Sequence, residues 1–113
     1  MLKKIECFIQ PFKLDKVKDA LIDIGVEGIT ISQVEGFGKQ RGYLEGEKPN
    51  KDVKFLPKTK LEIVVDEEIV DRVIKMVVNL AQTGKFGSGK IFVLPVEDAI
   101  RIRTSEAGIS AIT

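Results

Sequence analysis

An α+β fold of the split βαβ type, with one antiparallel sheet carrying two helices on the same face, is what this 113-residue sequence predicts. Three observations point there. The hydrophobic period passes from strand-like to helix-like and back twice along the chain, so each half reads strand, helix, strand. Aromatic residues make up 6% against a hydrophobic fraction of 43%, with no Trp, so Ile, Val and Leu must fill the interior. The length is that of one ordinary domain spanning 1–113, broken by a single long polar stretch at about 38–55.

Residues 3–10 set Ile5, Cys7 and Ile9 against Lys4, Glu6, Phe8 and Gln10, the alternation of a strand with one buried face. Pro11 ends it, because proline has no N–H to give a ladder. From 12 to 24, Leu14, Val17, Leu21 and Ile24 recur at helical spacing, and Gly25 supplies the stop. A second strand is expected over 28–37 around Ile29, Thr30, Ile31 and Val34. A third, over 59–65, sets Leu61, Ile63 and Val65 against Lys60, Glu62 and Val64. The second helix covers 67–82, with Val70, Val73, Ile74, Val77 and Ala81 on its apolar face. Asp66 suits its N-cap, Glu67 and Glu68 suit the positive end of the helix dipole, and Gly84 marks its end. Residues 90–95 and 98–104 are further strand candidates, interrupted around Pro95. This order is that of a ferredoxin-like fold, in which one sheet face packs on the helices and the other must find cover. Because that face also carries β-branched residues, self-association through it is the simplest solution.

Composition excludes several functions. The 18 basic and 17 acidic residues give a formal charge of +1, so nucleic acid is not an expected partner. With one cysteine and no histidine, a single chain holds no disulfide framework, no zinc finger and no Cys/His or Ser/His catalytic pair. Cys7 itself fits a small buried hydrophobe. No apolar run approaches the ~20 residues of a membrane span and no signal sequence is recognised, so a cytoplasmic protein is expected.

The 38–55 segment has no sustained apolar period and contains Gly38, Gly42, Gly46, Pro49 and Asn50. From Lys39 to Lys60 there are seven basic and three acidic residues, which suits an acidic ligand or partner, though a solvated loop explains them equally. The segment leaves through Gly36, Phe37 and Gly38 and returns through Phe55, Leu56 and Pro57, a glycine-rich exit and an anchored return that favour a binding arm.

Three clusters suit phosphate. Gly84, Gly89 and Lys90 almost spell a P-loop, but Ile91 stands where Ser or Thr would meet magnesium, and the glycines follow a helix instead of preceding one. The stretch is therefore not an ATPase P-loop, yet Gly87 and Gly89 can turn N–H groups toward one concavity beside Lys85 and Lys90. Arg101 and Arg103, two apart in the expected last strand, share a face and suit phosphate oxygens, unless Glu62 or Glu97 satisfies them. Lys58 and Lys60 pair likewise on the third strand, where solvated lysines are the alternative. One polyphosphate could engage all three clusters if the fold brought them together.

The motifs Gln10-Pro11-Phe12-Lys13-Leu14, Gly36-Phe37-Gly38-Lys39-Gln40-Arg41-Gly42, Phe55-Leu56-Pro57-Lys58, Thr83-Gly84-Lys85-Phe86-Gly87-Ser88-Gly89-Lys90-Ile91-Phe92-Val93 and Ile100-Arg101-Ile102-Arg103-Thr104 span nearly the whole chain. In order and spacing they resemble the PII signal-transduction family, the regulators of nitrogen metabolism. The resemblance implies a homotrimer with ATP or ADP bound between subunits. It places Gly87, Ser88, Gly89 and Lys90 on the phosphates, with Arg101 and Arg103 reaching them from the adjoining subunit. It puts Thr30, Gly36, Phe37, Gly38 and Val64 at the adenosine end, and Glu62 near the nucleotide. It further implies 2-oxoglutarate as effector beside Mg-ATP, with Gln40 helping to ligate magnesium, the backbone at Lys39 and Gln40 holding the acid, and Lys58 pairing with a carboxylate. The 38–55 arm would then be read by an ammonium transporter or a nitrogen-metabolism enzyme, which could recruit the protein to a membrane without insertion.

The chain departs from the family at three places. Its arm lacks the Tyr-Arg-Gly segment that is uridylylated in many relatives and is about one residue shorter, and Tyr43 lies too early to inherit the role, so no modification is expected at Tyr43. Ser88 stands where aspartate is common, either making the turn less acidic or holding it through its hydroxyl. Ser105 stands where glycine is common. The function expected is an allosteric regulator and not an enzyme. A divergent carbon-metabolism or transport regulator with altered 2-oxoglutarate response is the nearest alternative, and a slow nucleotide hydrolase or phosphotransfer enzyme the alternative of another class.

Overall fold

The computed structural model describes residues 1–37, 55–85 and 87–113. Of the expected site, Gly38, Lys39 and Gln40 lie outside the described residues, as do Tyr43 and most of the 38–55 arm. The described elements run β1 (Leu2–Ile9), α1 (Leu14–Asp23), β2 (Thr30–Gly36), β3 (Leu56–Asp66), α2 (Val70–Ala81) and β4 (Gly89–Val96). Short 3-10 turns at Pro11–Lys13 and Glu67–Ile69 lead into the helices, and a third covers Gly108–Ala111. The sheet has the order β2-β3-β1-β4 with every neighbouring pair antiparallel, the ferredoxin-like arrangement the periodicity predicts.

Pairing with period two decides which side chains meet the helices. Ile5, Cys7 and Ile9 of β1 stand beside Leu61, Ile63 and Val65 of β3, and all six are buried against Val17 and Leu21 of α1 and Val73, Val77 and Ala81 of α2. Met76 and Leu80 pack on the rim of this core, a contribution the apolar face read from the sequence leaves out. Burial pushes the Cys7 thiol up to about 11, so it stays protonated and packs as a hydrophobe. Thr59 is also buried and donates to Gln33 Oε1 at 2.9 Å, which satisfies its hydroxyl between β2 and β3.

Local chemistry sets most boundaries. Pro11 fixes the backbone at the first turn, and Gly25 at φ +95° closes α1 as a Schellman motif, with Val26 N–H on Leu21 O and Gly25 N–H on Ile22 O, both at 3.0 Å. Asp66 caps the second helical segment by accepting from Glu68 N–H at 3.1 Å. Gly84 does not end α2: the helix stops at Ala81, Gln82 is already extended, and Gly84 serves the turn beyond. The third strand begins at Leu56, earlier than expected, because Pro57 lies before β1 starts to pair with β3, where only β2 flanks it. β4 likewise runs through Pro95, which an edge strand tolerates.

Residues 98–104 are not a strand. They form the first limb of a tight hairpin with one bridge, Ile100 to Ala107, closed by Arg101 N–H on Glu106 O at 2.8 Å and Ser105 N–H on Arg101 O at 2.7 Å. The Ile-Arg alternation imitates a strand, but Ile102 is 98% exposed and the turn bonds decide the conformation. Ser105 adopts φ +62°, the left-handed region, and is the one non-glycine residue to do so among those described. Glycine suits that position on steric grounds, and serine bears about 1 kcal/mol of strain there.

The face turned away from the helices differs from expectation at its centre. Lys4, Glu6, Lys60 and Glu62 form a charge-alternating patch, with Lys4 Nζ 2.6 Å from Glu62 and 3.2 Å from Glu6, and Lys60 Nζ 3.5 Å from Glu6 and 3.6 Å from Glu62. Glu6 and Glu62 are direct cross-strand partners and would repel without the lysines. The hydrogen bond from Lys4 holds the Glu62 carboxyl below the usual carboxylate range, and the same bond raises Lys4. Phe8 and Phe92 meet edge-to-face at 5.9 Å beside the patch, and Lys60 lies 5.6 Å over the Phe8 ring.

Candidate functional site

The glycine turn between α2 and β4 is built by one hydroxyl. Ser88 Oγ accepts from Thr83 N–H at 3.1 Å and from the Thr83 hydroxyl at 2.5 Å, and donates to Lys85 O at 2.9 Å. Thr83 Oγ1 in turn accepts from Lys85 N–H at 3.3 Å. A carboxylate at this position accepts but does not donate, so the bond to Lys85 O belongs to serine. Ser88 therefore holds the turn through its hydroxyl. Ser88→Ala is expected to lose about 1–2 kcal/mol of stability and to speed amide exchange at Thr83, measured by denaturant unfolding and hydrogen exchange.

Gly84, Gly87 and Gly89 all have positive φ, at +77°, +87° and +119°, and so let the backbone fold back within a few residues. The carbonyl of Gly87 is a meeting point that the sequence does not reveal. It accepts from Lys58 Nζ at 2.6 Å and from Gln10 Nε2 at 2.5 Å, tying the start of β3 and the end of β1 to the turn. Burial lowers the pKa of Lys58. In the sequence Gln10 is a polar residue at a strand end, with nothing local to name its partner. Lys90, which pairs in register with Phe8, leaves the same turn exposed. Gly36 and Phe37 reach this end of the sheet at the tip of β2, where Phe37 and Phe55 pack edge-to-face at 5.4 Å across the base of the arm.

A second cluster lies farther along the sheet. Lys4, Thr30, Glu62, Val64, Arg101 and Thr113 line a pocket of about 460 Å³. Thr30 and Glu62 are register partners, so β2 and β3 form the floor and the 98–108 hairpin brings Arg101 over it. Arg101 donates to Glu106 Oε1 at 2.8 Å and to the Thr113 backbone oxygen, so neither Glu62 nor Glu97 is its partner. Arg103 does not share a strand face with Arg101; it sits exposed at the turn of the hairpin and is absent from the pocket wall.

Within one chain the expected site residues thus fall into two groups. Gly36, Phe37, Lys58 and 87–90 gather at one end, and Thr30, Glu62, Val64 and Arg101 at the other. Within one chain Thr30 and Val64 share a pocket with Arg101, while Gly36 and Phe37 stand at the other end of the sheet. Along β3, Lys58 and Val64 are separated by about 20 Å at the rise of an extended strand. Among the described residues, no three His, Cys, Asp or Glu side chains gather where they could hold a metal ion. No helix among them is long and apolar enough to cross a membrane.

Comparison with known proteins accounts for this architecture. The family described as nitrogen regulatory protein P-II matches residues 2–106. The nitrogen regulatory protein P-II of Haemophilus influenzae is 54% identical over 112 residues, covering 98% of this chain and 100% of that protein. Its counterpart in Bradyrhizobium diazoefficiens is 51% identical with the same coverage. The crystal structure of Arabidopsis thaliana PII bound to citrate superposes with a TM-score of 0.79 at 42% identity, covering 97% of this chain and 91% of the other. Sequence identity and overall fold agree over nearly the full length, and the chain belongs to the P-II family of nitrogen regulatory proteins.

Proposed function

We propose that this nitrogen-signalling regulator senses ATP and ADP in a homotrimer, at sites assembled from the two clusters of adjoining subunits. The observation that carries the reading is their separation by about 20 Å along β3, which within one chain keeps the glycine turn and Arg101 from meeting on one phosphate chain. A second copy laying its Arg101 cluster against the first copy's glycine turn completes the site. Gly87, Ser88, Gly89 and Lys90 then present N–H groups and an ammonium to the phosphates, opposite Arg101 and Arg103. Thr30, Glu62 and Val64 from one side and Gly36, Phe37 and Gly38 from the other enclose the nucleoside.

The acid effector is 2-oxoglutarate, held at Lys39, Gln40 and Lys58, with Gln40 on the magnesium that accompanies ATP. Lys58 fits a carboxylate: it is partly desolvated and already donates to an oxygen, Gly87 O, that a stronger acceptor can replace. That a PII relative was solved with citrate supports a small carboxylate in this family. We read 1–113 as one domain whose 38–55 arm carries the signal. ATP with the acid favours one arm ensemble, ADP another, and an ammonium transporter or nitrogen-metabolism enzyme reads the difference.

Calorimetry of the full chain with ATP or ADP and magnesium, with and without 2-oxoglutarate, tests the reading. Both nucleotides are expected to bind, and the acid only together with Mg-ATP. Binding of neither nucleotide to the assembled oligomer overturns the proposal. Lys58→Ala is expected to keep nucleotide binding while weakening the acid response about tenfold or more, the scale of a charge-assisted hydrogen bond.

A further inference from the structure

Resting on the nucleotide reading above, we infer that Glu106 and the 108–113 turn form an internal latch on Arg101, an anion mimic that an incoming phosphate must displace. A guanidinium offers a planar fork of donors matched to carboxylate or phosphate oxygens. Here Nη1 of Arg101 donates to Glu106 Oε1 at 2.8 Å and Nη2 to the Thr113 backbone oxygen, so the chain's own oxygens occupy the fork of an arginine that lines the pocket.

The surrounding hairpin holds Glu106 in place for this contact. Its N–H donates to Thr104 Oγ1 at 3.3 Å, and its carbonyl accepts Arg101 N–H at 2.8 Å. Asp98 Oδ1 accepts from Ala99 N–H at 2.8 Å and Gly108 N–H at 3.1 Å, closing the far end of the hairpin. The 108–113 turn has an apolar seat as well: Ile109 and Ile112 line a cavity of about 200 Å³ with Val26, Val64, Val65 and Ile69. Ile112 and Thr113 border both this cavity and the 460 Å³ pocket, so lifting the turn frees Arg101 and widens the pocket together.

The ion pair is also weak enough to open. The Arg101 and Glu106 side chains are 26% and 45% exposed, which places the pair among those that water screens. A phosphate carrying more than one charge outcompetes a single screened carboxylate for the same fork. The latch thus lowers the affinity for the anion, and the anion opens the latch.

Glu106→Gln keeps the shape of the side chain and its capacity to accept a hydrogen bond while removing the charge. By calorimetry on the full chain it is expected to bind ATP about two- to five-fold more tightly than the unaltered protein, the release of one screened ion pair. Without nucleotide it is expected to show faster amide hydrogen exchange over 106–113. In an Arg101→Ala background the same replacement is expected to leave ATP affinity unchanged, since the latch has lost its other half. Unchanged or weaker ATP binding by Glu106→Gln, where the unaltered protein binds normally, overturns the latch alone. So does an equal gain in the Arg101→Ala background, which traces the effect to general charge. If neither protein binds a nucleotide, the nucleotide reading fails, and exchange over 106–113 decides the latch by itself: faster in Glu106→Gln upholds it, unchanged overturns it.

Discussion

Gly89→Ala is expected to remove about 3–5 kcal/mol of folding stability, combining left-handed backbone strain with overpacking against main chain. A Cβ at Gly89 would stand 1.8 Å from Phe8 O and 2.9 Å from Phe8 C, and both are backbone atoms of β1. β1 cannot retreat, because it is ladder-bonded to β3 on its other edge and its Ile5, Cys7 and Ile9 are locked in the core. The backbone at Gly89 is also at φ +119°, a conformation that side chains resist even in open space. Gly25→Ala separates the two contributions: it has φ +95° but nothing within 4 Å of its added Cβ, so only the backbone penalty of about 1–2 kcal/mol is expected. Urea unfolding with a shared m-value measures both variants. A loss at Gly89 no larger than at Gly25 would show that β4 shifts freely and that the close approach is not fixed by register.

The second large effect concerns how the site is divided. Lys90→Ala and Arg101→Ala are each expected to reduce ATP affinity by tenfold or more, on the scale of charge-assisted hydrogen bonds of about 1.5–3 kcal/mol. The two defects lie in different groups of one chain, and in the proposed assembly they lie on opposite walls of a shared site. Subunits carrying one replacement each, mixed by co-expression, therefore rebuild some undamaged sites. With random mixing, about a quarter of the interfaces take the intact wall from both contributors, and that fraction of high-affinity sites is expected by calorimetry. If both groups served one chain's own site, every site in the mixture would carry a defect and no high-affinity fraction would appear. The experiment reads the division of the site directly and requires no knowledge of the arm's partner.

The separation of the groups follows from features that a sequence carries only indirectly. Arg101 and Arg103 look alike in the alternating run Ile100-Arg101-Ile102-Arg103, but the hairpin turns Arg101 toward Glu106 and leaves Arg103 at its tip. Thr30 and Val64 stand far from each other in sequence. They share a pocket because β2 pairs with β3 in the register that sets Thr30 against Glu62. Gln10 joins Lys58 at one carbonyl because β1 ends and β3 begins beside the same turn. Each of these contacts rests on strand order, strand register or hairpin closure.

Local patterns in the sequence account for the elements and their ends. Period-two burial in β1 and β3, the helical stripes of α1 and α2, the Asp66 cap and the Gly25 stop all act within a few residues, where sterics and hydrogen bonding leave few choices. The family motifs are of the same kind, short runs whose order and spacing carry the resemblance to the P-II family. Contacts made in the folded chain set the rest: that Ser88 holds the turn, that Gly89 presses against β1, that 98–104 leaves the sheet, and that the expected site residues form two separate groups. The physical reason is that a side chain's partner across a sheet is fixed by pairing between distant segments. That pairing is settled by the burial of a whole core and not by the residues on either side of the contact.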